Sequence, residues 1–251
     1  MTLRQALFLP VGAAFVALFL WGLHDAPPLG VYRGPYGDVI NSVVVYERHA
    51  TDAVTAINFD YRGFDTLGEE FILFTSVMGV TLLLRRQKDD ESRPPRDSAE
   101  ERTVPPVSDA VRVFGLALVD VMIAFGVYIV THGQLTPGGG FQGGVILASI
   151  PLIVYLVSTF GTMCRIAPHW LVEVSEAVGA GGFVLLGFLG LWVGVHFLQN
   201  VLPLGQTGSA LSAGTIWAIS VTTGLEVSAG FILLQIAFLD ETLTRKYRGA
   251  Q

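Results

Sequence analysis

The chain is 251 residues long, 51% apolar and only 14% charged, whereas a soluble domain carries about 25% charged residues. The net charge of −6 excludes a basic nucleic-acid face as the main theme, so no nucleic acid is expected as a partner. One cysteine, Cys164, excludes an internal disulfide and a cysteine-based metal cluster.

The apolar residues come in long blocks rather than in alternation, so the solvent that shapes the fold is a lipid bilayer. A transmembrane helix needs about 20 mostly apolar residues. Six runs meet or approach this: 3–23, 67–84, 111–130, 145–160, 174–197 and 215–239. The first reads as a span and not as a signal peptide. Arg4 is its only basic residue, and no small-x-small cleavage site cleanly precedes the polar stretch 24–28. The expected fold is an all-α integral membrane protein with six transmembrane helices.

After the first run, ERHATDAVTAINFDYRGFDTLGEE (47–70) mixes apolar and polar residues at helical spacing, with Ala50, Val54, Ile57 and Tyr61 near one face. It predicts an interfacial helix on the outer surface or against neighbours. QKDDESRPPRDSAEERTVPP (87–106) is charged, proline-rich and free of aromatics, and reads as a disordered cytoplasmic linker. It separates a two-span block, 1–86, from a four-span block, 107–251. Lys and Arg crowd the linker and the tail (Arg245, Lys246, Arg248), Arg165 lies in the turn after the fourth run, and loops 131–144 and 198–213 have neither. That asymmetry places both termini in the cytoplasm. Arg33, Arg48 and Arg62 run against it, since their loop then lies outside.

Acids stand at or inside several runs. Glu69 and Glu70 open the second, Asp120 lies midway along the third, and Glu226 lies midway along the sixth. A charge at the bilayer centre costs about 2.5–3.5 kcal/mol on insertion scales. No run holds Lys or Arg in its apolar core, so each acid must hold a proton, bind a cation or meet a basic residue from another subunit. Thr222, Thr223, Gly224, Ser228 and Gly230 around Glu226 would admit water or a close helix. Glu173 and Glu176, one turn apart at the start of the fifth run, read as interfacial, with an inward turn open to Glu176. His132 sits at a helix end beside the glycine loop, and histidine is a common proton shuttle.

THGQLTPGGGFQGG (131–144) holds six glycines between two apolar runs. It lacks the lysine of a phosphate-binding loop and follows no soluble strand. Thr136 and Pro137 stop the third run, Gly138, Gly139 and Gly140 allow positive φ and close backbone approach, and Phe141 anchors the loop at the interface. Gly143 and Gly144 give the fourth run a smooth face. The loop therefore predicts a tight helix–helix contact.

HGQLTPGGGFQGGVILA (132–148) resembles the signature of the B subunit (MnhB/MrpB) of multisubunit Na⁺/H⁺ antiporters. DAVTAINFDYRGFDTLGEEFILF (52–74) resembles a module at the carboxyl end of those antiporters' large A subunit, also found as the small E subunit of membrane-bound hydrogenases. The resemblance implies a fusion of the A-subunit tail with the B subunit. The chain would be a multi-pass subunit of a large hetero-oligomeric antiporter complex in a prokaryotic cell (inner) membrane, with other membrane subunits as partners. Asp65, Thr66, Gly68 and Glu69 match the first motif and 137–144 the second. Asp65, Glu69, Glu70, Asp120, His132 and Glu226 are the candidates for a cation or proton path. No catalytic residue, resident metal, cofactor or enzyme activity is expected; Na⁺ and H⁺ enter as transported ions. The competing readings are a purely structural subunit and a membrane subunit of a redox-driven pump.

Overall fold

The computed structural model describes residues 3–24, 34–84 and 107–248. Among the described residues every regular element is helical. The linker 87–106 lies outside them. The chain divides into two compact units, Met1–Val39 and Ile40–Gln251.

The first unit holds α1 (Leu3–His24) and the start of α2 (Pro35–Arg48). Pro10 lies inside α1 and removes one backbone donor there. The stretch Pro10–His24 is apolar but shorter than a full span.

In the second unit five helices are long and apolar enough to cross a membrane. They are α4 (Gly63–Leu83), α5 (Asp109–Thr131), α6 (Gly140–Val157), α8 (His169–Val193) and the apolar part, Thr215–Asp240, of α9 (Thr215–Arg248). α9 is the axis: it packs against α4, α5, α6 and α8. Between Ile216 and Ala237 only Leu225 is exposed. A helix apolar on every side belongs at the centre, and the small residues of α9 let its neighbours come close.

Shorter elements connect the spans. The segment expected as one interfacial helix is broken instead. α2 ends at Arg48, His49 takes a positive φ of 51°, and Asp52 caps a single turn, α3 (Ala53–Ala56), by accepting from Thr55 N. A π-helical turn, Ile57–Tyr61, leads into α4. Ala50 is fully buried while Val54 is exposed, so the two do not share a face. The break follows from Asp52, whose carboxylate takes the first free donors of a new helix. Between α6 and α8, Thr159 caps a short α7 (Phe160–Ile166). Pro168 precedes α8 with its φ already at −65°.

Two apolar clusters form the core. One gathers Ile40, Val44, Phe59, Leu67, Phe183, Ile216 and Ile219 among others. The other gathers Val77, Ala167, Val172, Ala229 and Leu233. On α4, α8 and α9 alike, a gap in register separates the two.

Candidate functional site

That gap is filled by acids. Glu70 lies between Leu67 and Val77 on α4, Glu176 between Val172 and Phe183 on α8, and Glu226 between Ile219 and Ala229 on α9. Their exposures are 3%, 5% and 1%. Glu226 is a direct electrostatic neighbour of both Glu70 and Glu176. Glycines make the convergence possible. A Cβ on Gly179 would stand 2.7 Å from Glu226 Cα, and one on Gly230 would stand 3.6 Å from Glu176 Oε1. α8 can come this close to α9 at Glu226 because Gly179 carries no side chain there.

Among the described residues the acids meet one another and no base. Glu70 and Glu226 share a hydrogen bond between their carboxyls, which requires a proton on one of them, while Glu176 Oε1 and, one turn before Glu226, Thr223 Oγ1 are buried without a hydrogen-bond partner. Among the described residues no ion pair reaches any of the three. No set of three His, Cys, Asp or Glu side chains among them is arranged to hold a metal ion. Three buried carboxylates without a counter-charge cannot all stay ionised together. The cluster must hold at least one proton or a cation.

The glycine loop lies at one end of the same helices. Gly138 and Gly139 take φ of 153° and 128°, values that side-chain-bearing residues rarely adopt. Gly139 N donates to Ile129 O at 3.2 Å and returns the chain to α5 before α6 starts at Gly140. A Cβ on Gly140 would stand 2.7 Å from Thr223 Cβ, and one on Gly144 would stand 2.8 Å from Val227 Cβ. Gly143 faces the other way, where a Cβ would stand 2.8 Å from Gly126 O. The loop therefore wedges α6 between α5 and α9, close to Thr223. Phe141 meets Phe231 edge-on at 6.4 Å, and Pro137 is exposed. The segment after α2 grips the loop: Thr51 N and Asp52 N donate to Gln134 O at 2.9 and 3.1 Å, and Thr51 Oγ1 donates to Leu135 O at 2.6 Å.

A polar latch ties the same segment to the loop before α9. Arg48 Nε pairs with Asp60 at 2.9 Å, and Asn200 Nδ2 donates to Asp60 at 3.0 Å and to Ala213 O at 3.0 Å. Thr215 N donates to Asn200 Oδ1 at 2.8 Å. Tyr61 donates to Glu47 at 3.0 Å beneath the Arg48 guanidinium. Burial and that hydrogen bond push its phenol up to about 12.

The sequence candidates scatter. Glu70 and Glu226 join the cluster. Glu69 and Asp65 are exposed, and Asp65 is ion-paired with Arg62. Asp120 is exposed on α5. His132 caps α5 and stacks on Tyr128 with ring centroids 4.3 Å apart, its Nδ1 3.2 Å from Tyr128 O. Glu176, read as interfacial, is the third member of the cluster. The signal for it was the spacing of Val172, Glu176, Gly179, Phe183, Gly187 and Gly190, all buried on one face of α8.

Residues 110–233 match the domain related to the MnhB subunit of the Na⁺/H⁺ antiporter. The corresponding B protein of the Na⁺/H⁺ antiporter of Alkalihalophilus pseudofirmus is 35% identical over 118 residues, which cover 46% of this chain and 76% of that protein. An uncharacterized protein of Methanocaldococcus jannaschii is 29% identical over 220 residues, 80% of each chain. Among solved structures, a chain of the membrane-bound sulfane sulfur reductase, an archaeal respiratory membrane complex, superimposes with a TM-score of 0.73 at 31% identity. The match covers 95% of this chain and 99% of that one. A chain of the Mrp complex from Dietzia shares the fold at the same TM-score of 0.73 and 23% identity, and this chain spans only 26% of its length. Both structural likenesses extend well beyond the antiporter-related domain and take in most of the block 1–86. This multi-pass membrane chain belongs to the family related to the MnhB subunit of the Na⁺/H⁺ antiporter.

Proposed function

We propose that the protein is a membrane subunit of a multisubunit cation/proton antiporter, and that Glu70, Glu176 and Glu226 form one station on its proton route. The observation that carries this is the burial of three neighbouring carboxyls that no basic side chain among the described residues neutralises. A scaffold gains little from such a layer, because three acids without a counter-charge cost more to bury than apolar side chains would. A relay needs groups that accept and release a proton with little rearrangement. The apolar clusters on either side keep bulk water from short-circuiting the layer. Other membrane subunits supply the remainder of the route. Residues 1–86 correspond to the A-subunit tail fused ahead of the B-type domain, in a prokaryotic cell membrane with both termini cytoplasmic.

A second reading is supported by the likeness to the sulfane sulfur reductase chain, which the protein covers almost end to end at 31% identity. Here the same station serves a redox-driven pump whose electron transfer occurs in other chains. Either way this chain is no enzyme by itself.

The test is ΔpH-driven Na⁺/H⁺ exchange in inverted vesicles carrying Glu70→Gln, Glu176→Gln or Glu226→Gln. Each is expected to slow exchange about a hundredfold, the scale of a lost positioned proton carrier, while the complex still assembles. Normal exchange by assembled Gln variants rules out the station.

A further inference from the structure

Asp120 is the acid the station leaves over. It is the twelfth residue of the 23-residue α5, and so at mid-depth, and it is exposed. α5 packs mainly on α6, with a lesser contact to α9. The face used is marked by Gly115, against Val157, and by Gly126, against Leu147. At 100° per residue Asp120 points away from both. Its neighbours on the outer face are Leu116, Ile123 and Val127, all exposed, with Ala117 and Ala124 one turn to either side. The apolar residues suit lipid, but the carboxylate does not. The two alanines leave room beside it for another helix to approach closely.

We propose that this face of α5 docks a transmembrane helix of another subunit, which brings a Lys or Arg to the depth of Asp120. Charge complementarity selects the occupant. Apart from Arg4, α1 carries no basic residue except His24 at its far end, so it has no cation for mid-depth. The spans of the second unit have no Lys or Arg in their apolar cores. No described span of this chain offers a cation at that depth, so the proposed contact takes it from another subunit. The alanine-flanked carboxylate fixes both the depth and the register of the incoming helix. The inference rests on the proposed membership of a complex.

The test uses the complex purified from membranes. A photo-crosslinking amino acid in place of Ala117 or Ala124 should capture one transmembrane helix of another subunit, with Lys or Arg at matching depth. Asp120→Lys should lower the co-purified partner about tenfold, and exchanging that partner's basic residue for Asp should restore it. Crosslinks only to lipid or to α1, a captured helix without a basic residue, or unchanged co-purification of Asp120→Lys would each overturn the contact. A wild-type chain that purifies without any other subunit would overturn complex membership, and with it this contact.

Discussion

Glu226 is buried, with its carboxyl beside those of Glu70 and Glu176, while Gly179 lies directly against its backbone. The packing of one glycine therefore controls where an ionisable group stands. Gly179→Ala places a Cβ 2.7 Å from Glu226 Cα, and backbone cannot swing aside as a side chain can. We expect a loss of about 1–3 kcal/mol, the cost of overpacking a filled core, read as a lower melting temperature of the purified protein. Gly181→Ala on the same helix meets nothing within 4 Å and should be close to neutral. At this scale the sequence discloses depth but not direction. Glu226 and Asp120 look alike on the page, each a lone acid midway along an apolar run, yet one faces α4 and α8 and the other faces outward. α5 is apolar around its circumference, so nothing local says which side of Asp120 meets protein. Glu176 was harder for the opposite reason. It stands near a helix start beside Glu173, and its burial shows only when the glycines farther along α8 are read as one stripe.

Helices follow their caps more closely than their hydropathy. The fifth run was expected at 174–197, but α8 begins at His169, where Pro168 sets the entry, and ends at Val193. Beyond that point the Gln199 side chain accepts from Val195 N and His196 N and turns the chain away. The glycine loop was more legible, since only glycine tolerates the φ of Gly138 and Gly139 and the closeness of Gly140 to α9. Its partner was not legible: that 50–59 clasps it depends on Thr51 and Asp52 donors finding a carbonyl over 80 residues away. Asn200 performs a similar task for α9, satisfying Thr215 N, Ala213 O and Asp60 at once. Asn200→Ala leaves Thr215 N without its acceptor in a half-buried site and takes one donor each from Asp60, which keeps Arg48, and Ala213 O, which keeps Ile216 N. We expect a loss of about 1–3 kcal/mol, with faster amide exchange at the start of α9 as the measurement. Unchanged protection there would remove the latch from the account.

For the whole molecule, the all-helical membrane class followed from composition and the length of the apolar runs, whereas the convergence of α4, α8 and α9 did not, because long-range packing leaves no local mark. The proposed topology is open to a direct check through the natural cysteine. Cys164 lies on α7, half-buried, in the turn assigned to the cytoplasmic side. A membrane-impermeant maleimide should label it in inverted vesicles and not in intact cells, and the reverse pattern would invert the topology. Burial and the nearby Asp240 carboxylate raise its thiol above the ordinary value. A raised value means less thiolate at neutral pH, so labelling should start slow and keep accelerating above about pH 8.5, where an ordinary thiol levels off.

The central claim is that three acids on three helices act as one station, and a double-variant cycle in the assembled complex tests it. If Glu70 and Glu226 serve the same step, the Glu70→Gln/Glu226→Gln pair exchanges ions no more slowly than the worse single variant, because a step already lost cannot be lost twice. Exchange losses that multiply in the double variant would show two independent sites and contradict the account.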